Sequence, residues 1–218
     1  MKFPNVFNRR EALSLLSTIS AFGLLLSGRK LLAGRFEEKN FQERMIDRFP
    51  PFDDARSRKV IFVAHCIINQ NARCNGSAET PASIRRIPEF LLKKNIGIAQ
   101  IPCPELGCLG LGREGLIYDQ LSTPGNRRYL KTLAQDILYQ INQYLKHRFE
   151  VVAILGINCS PSCGVDCHAY NGRKPGKGAF MEELSEEMEE TGVEIPLIGV
   201  TDAKPEKALA VLETLLVD

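Results

Sequence analysis

Val151-Val152-Ala153-Ile154-Leu155 runs directly into Gly156-Ile157-Asn158-Cys159-Ser160-Pro161-Ser162-Cys163-Gly164. The first five residues form an unbroken apolar run, the signature of a strand buried on both faces. The next nine are small, polar and sulfur-bearing. In an open parallel sheet such a turn, just past a strand's carboxyl end, is where chemistry is placed. Two further strand-like runs end the same way. Val60–Ala64 is followed by His65-Cys66-Ile67-Ile68-Asn69-Gln70-Asn71, and Gly97–Ile101 by Pro102-Cys103-Pro104-Glu105.

Helical patterns separate these strands. Pro81 to about Lys94 carries Ile84, Ile87, Phe90 and Leu91 on one face. Pro124 to about His147 predicts a long helix, Gly178 to Thr191 another stopped by Gly192, and Pro205 to Leu216 a last one. Leu106 to Ser122 is Gly-rich and irregular, and Ile195–Val200 supplies a fourth strand. The alternation predicts an α/β fold: a parallel, Rossmann-like sheet of about four to five strands, helices on both faces, and a site at the C-terminal strand ends.

The organisation along the chain is threefold. In residues 1–34, Arg9-Arg10 precedes an apolar run, Ala12 to Ser27, that resembles a twin-arginine export signal. The run is shorter than the roughly 20 residues of a spanning helix. An exported or membrane-anchored chain, with membrane contact through residues 1–34, is therefore the expectation; a cytoplasmic chain is the alternative. Residues 35–57 form a charged connector in which Phe41, Met45 and Phe49 recur at helical spacing. The α/β domain occupies 58–218.

Charge and composition exclude some functions. The chain has 28 Lys and Arg against 26 Asp and Glu, and Lys2, Arg9, Arg10, Arg29 and Lys30 all lie in the leader. The body is slightly acidic and lacks Trp, so it carries no footprint for a nucleic acid polymer.

Seven cysteines fall in groups after the strands: Cys66 and Cys74, Cys103 and Cys108, then Cys159, Cys163 and Cys167. An odd count leaves one outside any complete disulfide set. Thiolates select zinc, copper(I) or iron–sulfur clusters, and the paired C-x2-C knuckles of structural zinc are absent. From spacing alone a cluster, a zinc ion and buried or disulfide-bonded cysteines all stay open. Cys66, Cys103 and Cys163 have the strongest claim as ligands.

These three motifs, with Gly176-Lys177-Gly178-Ala179-Phe180-Met181-Glu182-Glu183-Leu184, resemble those of the thiouracil desulfurase family, in its desulfidase-related branch. The resemblance spans roughly residues 58–202. It implies a 4Fe-4S cluster held by Cys66, Cys103 and Cys163 with the fourth iron free of protein. It further implies a small thiolated substrate, such as a thiouracil-like thiocarbonyl, whose sulfur leaves as sulfide by Lewis-acid rather than redox chemistry. Glu105 and Ser160 are the polar partners it suggests, as proton acceptor and as relay or orienting hydroxyl. On the residues alone, Glu105 also suits a turn or cap acid and Ser160 a hydroxyl bonding its own backbone.

Asn69, Gln70 and Asn71 stand at the first strand end and are candidates to bind a heterocycle or to bridge turn backbone. Cys159 occupies a place where a small residue such as Gly is expected. Any of Cys74, Cys108, Cys159 and Cys167 could close the fourth iron, turning the site into an electron carrier or metal-handling centre. The amides and Lys177 before the Gly178–Thr191 helix are candidates for an anion site. The acidic run from Glu182 to Glu190 reads as a solvated face.

Overall fold

A computed structural model describes residues 52–216. The leader, the Phe41–Phe49 helix and the export expectation lie outside the described residues. Among the described residues no helix is long and apolar enough to cross a membrane.

The apolar runs form one four-stranded sheet. In chain order the strands are β1 (Lys59–Ala64), β2 (Gly97–Ile101), β3 (Glu150–Ile157) and, further on, β6 (Leu197–Val200). Their spatial order is β2-β1-β3-β6 and every neighbouring pair is parallel. The chain steps from β1 to one side for β2, then returns to the other side for β3. That reversal opens a crevice past the carboxyl ends of β1 and β3. Ile61, Phe62 and Val63 of β1 and Ala153, Ile154 and Leu155 of β3 are fully buried. Each such large side chain contributes roughly 1.5–3 kcal/mol.

After β1 come a helical turn, α1 (His65–Ile68), and a 3-10 turn over Gln70–Ala72. Helix α2 (Arg86–Lys93) then leads to β2. It starts five residues later than Pro81, because residues 82–84 run against the turn after β1: Gln70 N–H donates to Ala82 O and Ile84 N–H to Ile67 O. Pro88 then falls in the first turn of α2, where its missing N–H costs nothing. The Gly-rich stretch after β2 is less irregular than expected, holding α3 (Pro104–Leu109) and α4 (Tyr118–Leu121).

Helix α5 (Pro124–Lys146) precedes β3 and is capped by Thr123. A small antiparallel hairpin, β4 (Cys167–Ala169) with β5 (Arg173–Pro175), then precedes α6 (Ala179–Thr191). Three-residue strands give no periodic signal, so this hairpin is not legible from the pattern. Helix α7 (Pro205–Leu215) closes the domain. Helix α2 contacts α7, and α5 contacts α6, so the helices pair in two layers about the sheet.

The acidic run of α6 is not wholly solvated. Glu183 and Glu187 are buried against α5, where Arg127 and Lys131 pair with them at 3.1 Å each.

Candidate metal centre

The crevice past β1, β2 and β3 is a cavity of about 400 Å³ whose wall includes Cys66, Cys103, Cys163, Glu105, Ser160 and Ser162. Each arrives from a different strand end. Cys66 sits in α1, immediately after β1. Cys103 is the N-cap of α3, its sulfur accepting the Leu106 N–H at 3.4 Å, while Pro104 occupies the first helical position. Cys163 lies in the loop after β3.

That loop is held by its own backbone. Cys163 O accepts from Ile157 N–H at 2.9 Å, and Ser160 O from Gly164 N–H at 3.1 Å. Glycine is required at the closest approach: a Cβ on Gly164 would stand 2.2 Å from the Cys167 carbonyl oxygen. The first amides of α6 also reach the loop. Gly178 N–H donates to Gly164 O, Ala179 N–H to Pro161 O, and Phe180 and Met181 N–H to Ser162 O. The helix end therefore binds the cysteine loop, which corrects the expectation of an anion site there.

Two arginines and two acids surround the sulfurs. Arg113, almost fully buried, places Nη2 3.7 Å from Cys103 Sγ and Nε 3.5 Å from Glu105 Oε2, and it donates to Ala72 O at 2.9 Å. The Arg73 guanidinium favours the ionised form of Cys66 and pairs with Asp202 at 2.8 Å. Asp202 follows β6 and also accepts from Gln70 Nε2 at 3.1 Å. Asp202, Arg73, Arg113 and Arg173 were not singled out by sequence, although Thr201-Asp202 stands at the fourth strand end, the same kind of position as the cysteines.

Burial pushes the Cys66 thiol up to about 12, against the pull of the Arg73 guanidinium and helped by the charge of Cys103. Burial likewise holds Cys163 well above the ordinary thiol range, with Cys66 and Cys103 adding to the rise. Cys103 is raised by burial, and the Leu106 amide pulls the other way. Thiols raised in this way keep their protons at neutral pH. A soft metal bound there would displace those protons.

Glu105 is 8% exposed. Its Oε1 accepts from Ser162 Oγ at 2.7 Å and from Ser160 Oγ at 3.4 Å. Ser160 Oγ in turn accepts the Cys163 N–H at 3.0 Å, so the turn-hydroxyl role and the cavity position coexist in one residue. Ser162, not anticipated, makes the shorter bond to Glu105.

Asn69, Gln70 and Asn71 are not on the cavity wall. Gln70 is buried and bridges the turn, donating to Cys66 O at 2.8 Å and accepting from Glu79 N–H at 3.1 Å. Asn69 Oδ1 accepts from Asn71 N–H at 3.1 Å. His65 is on the wall, its ring nitrogens facing the amides of Asn69 and Gln100, and burial lowers its pKa. His168 is not on the wall. It is buried against the Tyr118 ring, with Nδ1 3.2 Å from Gly176 O.

Of the additional cysteines, Cys74 and Cys159 reach the cavity while Cys108 and Cys167 do not. Cys159 is in contact with Cys167, and burial together with that partner pushes its thiol up to about 11.

Among the described residues no group of three or more His, Cys, Asp or Glu side chains converges closely enough to hold a single metal ion. A zinc ion, the alternative, needs donors gathered about 2.0–2.3 Å from one point. A 4Fe-4S cluster spreads its thiolates over separate irons. Three soft sulfurs on one cavity wall, each from its own strand end, fit such a group better than one ion.

No family model matches the chain. Among solved structures it is similar to a 4Fe-4S-dependent thiouracil desulfidase, TudS, at 18% identity, with a TM-score of 0.44 over 72% of this chain and 99% of that one. A likeness that loose leaves the chemistry to the site's own residues. Among curated proteins, uncharacterized protein MJ0003 of Methanocaldococcus jannaschii is 32% identical over 143 residues, 66% of this chain and 86% of the relative. At that identity and coverage of the relative, the chain belongs to the MJ0003 family.

Proposed function

We propose that this protein is a 4Fe-4S-dependent, non-redox desulfidase that exchanges the sulfur of a small thiocarbonyl compound, of the thiouracil class, for the oxygen of water and releases sulfide. The observation that carries the proposal is the meeting of Cys66, Cys103 and Cys163 with a serine-bonded carboxylate, Glu105, on one cavity wall. When bound by these three cysteines, the cluster supplies a Lewis-acidic iron that eases the departure of a thiocarbonyl sulfur.

The chain's own groups would supply the rest. Arg73 and Arg113 stand beside Cys66 and Cys103 and offset thiolate charge. Ser160 Oγ is fixed by the Cys163 amide and directs its proton towards Glu105 Oε1 or Ser162 Oγ. Glu105 thus takes the proton from attacking water, directly or through Ser160. Arg113 holds the other carboxylate oxygen and sets the orientation of Oε1. The test is sulfide release from 2-thiouracil by the reconstituted protein, with uracil formed in equal amount. A reconstituted protein that releases neither from a panel of thiolated bases contradicts the proposal.

One observation favours a second reading. Cys74 also lies on the cavity wall. A fourth thiolate from Cys74 would make the centre an electron carrier. In that case Cys74→Ser would change the spectrum and reduction potential of the cluster; in a desulfidase it would leave both unchanged.

A further inference from the structure

Cys159 and Cys167 are in direct contact, Sγ to Sγ 2.6 Å, and the Cys159 N–H donates to the Cys167 carbonyl at 2.8 Å. The backbone bond brings the two main chains to the close range a disulfide needs, a Cα separation of about 4.4–6.8 Å. Both residues are half-buried, so a small reagent can reach them.

A second observation is independent of the contact. Cys159 has φ +64°, in the left-handed region that favours glycine. A side chain there is strained, and a thiol aimed at another thiol gives the strain a use. We propose that Cys159 and Cys167 form a redox-active pair whose disulfide closes the loop carrying Ser160, Ser162 and Cys163.

The oxidant class is a low-molecular-weight disulfide, RSSR. One protein thiolate attacks an RSSR sulfur; a protein–SR bond forms, the RS–SR bond breaks and RS⁻ leaves. The second protein thiolate attacks the protein sulfur of that mixed disulfide, forming the Cys159–Cys167 bond and expelling a second RS⁻. Two electrons pass to the reagent, and the two protons of the thiols end on two RSH. Cys66, Cys103 and Cys163 take no part, so the bond can close around the metal centre without removing a ligand. The inference stands apart from the desulfidase reading, since it requires neither a cluster nor a substrate.

The test counts thiols. The full chain is treated with glutathione disulfide while native, quenched in acid, denatured and alkylated, then cleaved before Asp166 and mapped by fragmentation. The wild type should fall from seven alkylated cysteines to five, with Cys159 linked to Cys167. In Cys159→Ser, Cys159→Gly and Cys167→Ser no internal link should form, and any loss of alkylation should be a glutathione adduct on the remaining partner, the first step trapped without its resolving thiol. The glycine variant relieves the backbone at position 159, so a folding defect cannot explain its result. In the wild type, seven free thiols after treatment, a persistent glutathione adduct, or a link from either residue to another cysteine would each overturn the proposal.

Discussion

Ser162 Oγ donates to Glu105 Oε1 at 2.7 Å, joining the loop after β3 to the helix after β2 across 57 positions of sequence. The bond fixes the carboxylate beside the cysteine sulfurs, where the proposed mechanism has Glu105 accept a proton. Glu105→Gln keeps the shape and removes the proton acceptor. Turnover should fall by about 10²–10⁴-fold, the range of general-base contributions, while iron content and the absorbance of the cluster stay unchanged. Equal turnover in the variant would remove Glu105 from the chemistry.

Arg73 and Asp202 form an ion pair whose side chains are 13% and 9% exposed. Removing one partner of such a pair leaves a poorly solvated charge, at a cost of about 3–5 kcal/mol. Asp202→Ala should lose stability on that scale in urea unfolding. Arg73→Met with Asp202→Leu should recover much of it but should bind less iron, because the Cys66 thiolate then lacks its neighbouring cation. A double variant no more stable than Asp202→Ala would show that the pair is not the source of the loss.

The raised thiols predict a pH dependence for the metal-free protein. In the unfolded chain a thiol ionises near 8.5, whereas in the fold burial carries Cys66 up to about 12. Between those values the unfolded state binds fewer protons than the native one. Stability is therefore fully present below about pH 8.5 and declines as the pH rises towards 12. Urea midpoints taken from pH 7 to 10 should fall more steeply in wild type than in Cys66→Ala. Parallel curves would contradict the burial of that sulfur.

Gly164→Ala places a Cβ 2.2 Å from the Cys167 carbonyl oxygen and 2.8 Å from that of Ser160. Relief requires the Cys163 loop to move, at a cost of about 1–3 kcal/mol or more. The variant should fold less stably and retain less iron after reconstitution. Native iron content would mean the loop tolerates the shift without losing Cys163 as a ligand.

Much of the fold was legible because the strands are short, mainly apolar runs separated by helical patterns: β1 and β3 hold unbroken ones, Pro102 follows β2 and Pro196 precedes β6. The order β2-β1-β3-β6, and with it the reversal at β1 and β3, required coordinates. The strand-end cysteines were legible because each lies within a few residues of a strand's carboxyl end, whereas Glu105, whose position alone suits a turn or cap acid, was singled out by the resemblance of its motif. The β4–β5 hairpin was not, since three-residue strands carry no period. Arg73 and Arg113 were hidden because their roles depend on contacts with Cys66 and Cys103 that no local pattern records. The oddity of Cys159 was visible as a cysteine where glycine is expected; its cause, a positive φ and a thiol neighbour eight positions on, required coordinates. Gln70, readable either as a ligand-binding amide or as a bridge of the turn, bonds Cys66 O, Asp202 and the Glu79 amide.

The central claim is a cluster held by three cysteines, and metal stoichiometry tests it most directly. After anaerobic reconstitution, iron and acid-labile sulfide should each reach about four per chain in wild type and in Cys108→Ala. Both should be lost in Cys66→Ala, Cys103→Ala and Cys163→Ala. Zinc in place of iron, no bound metal, or full iron retained in any of those three variants would contradict it.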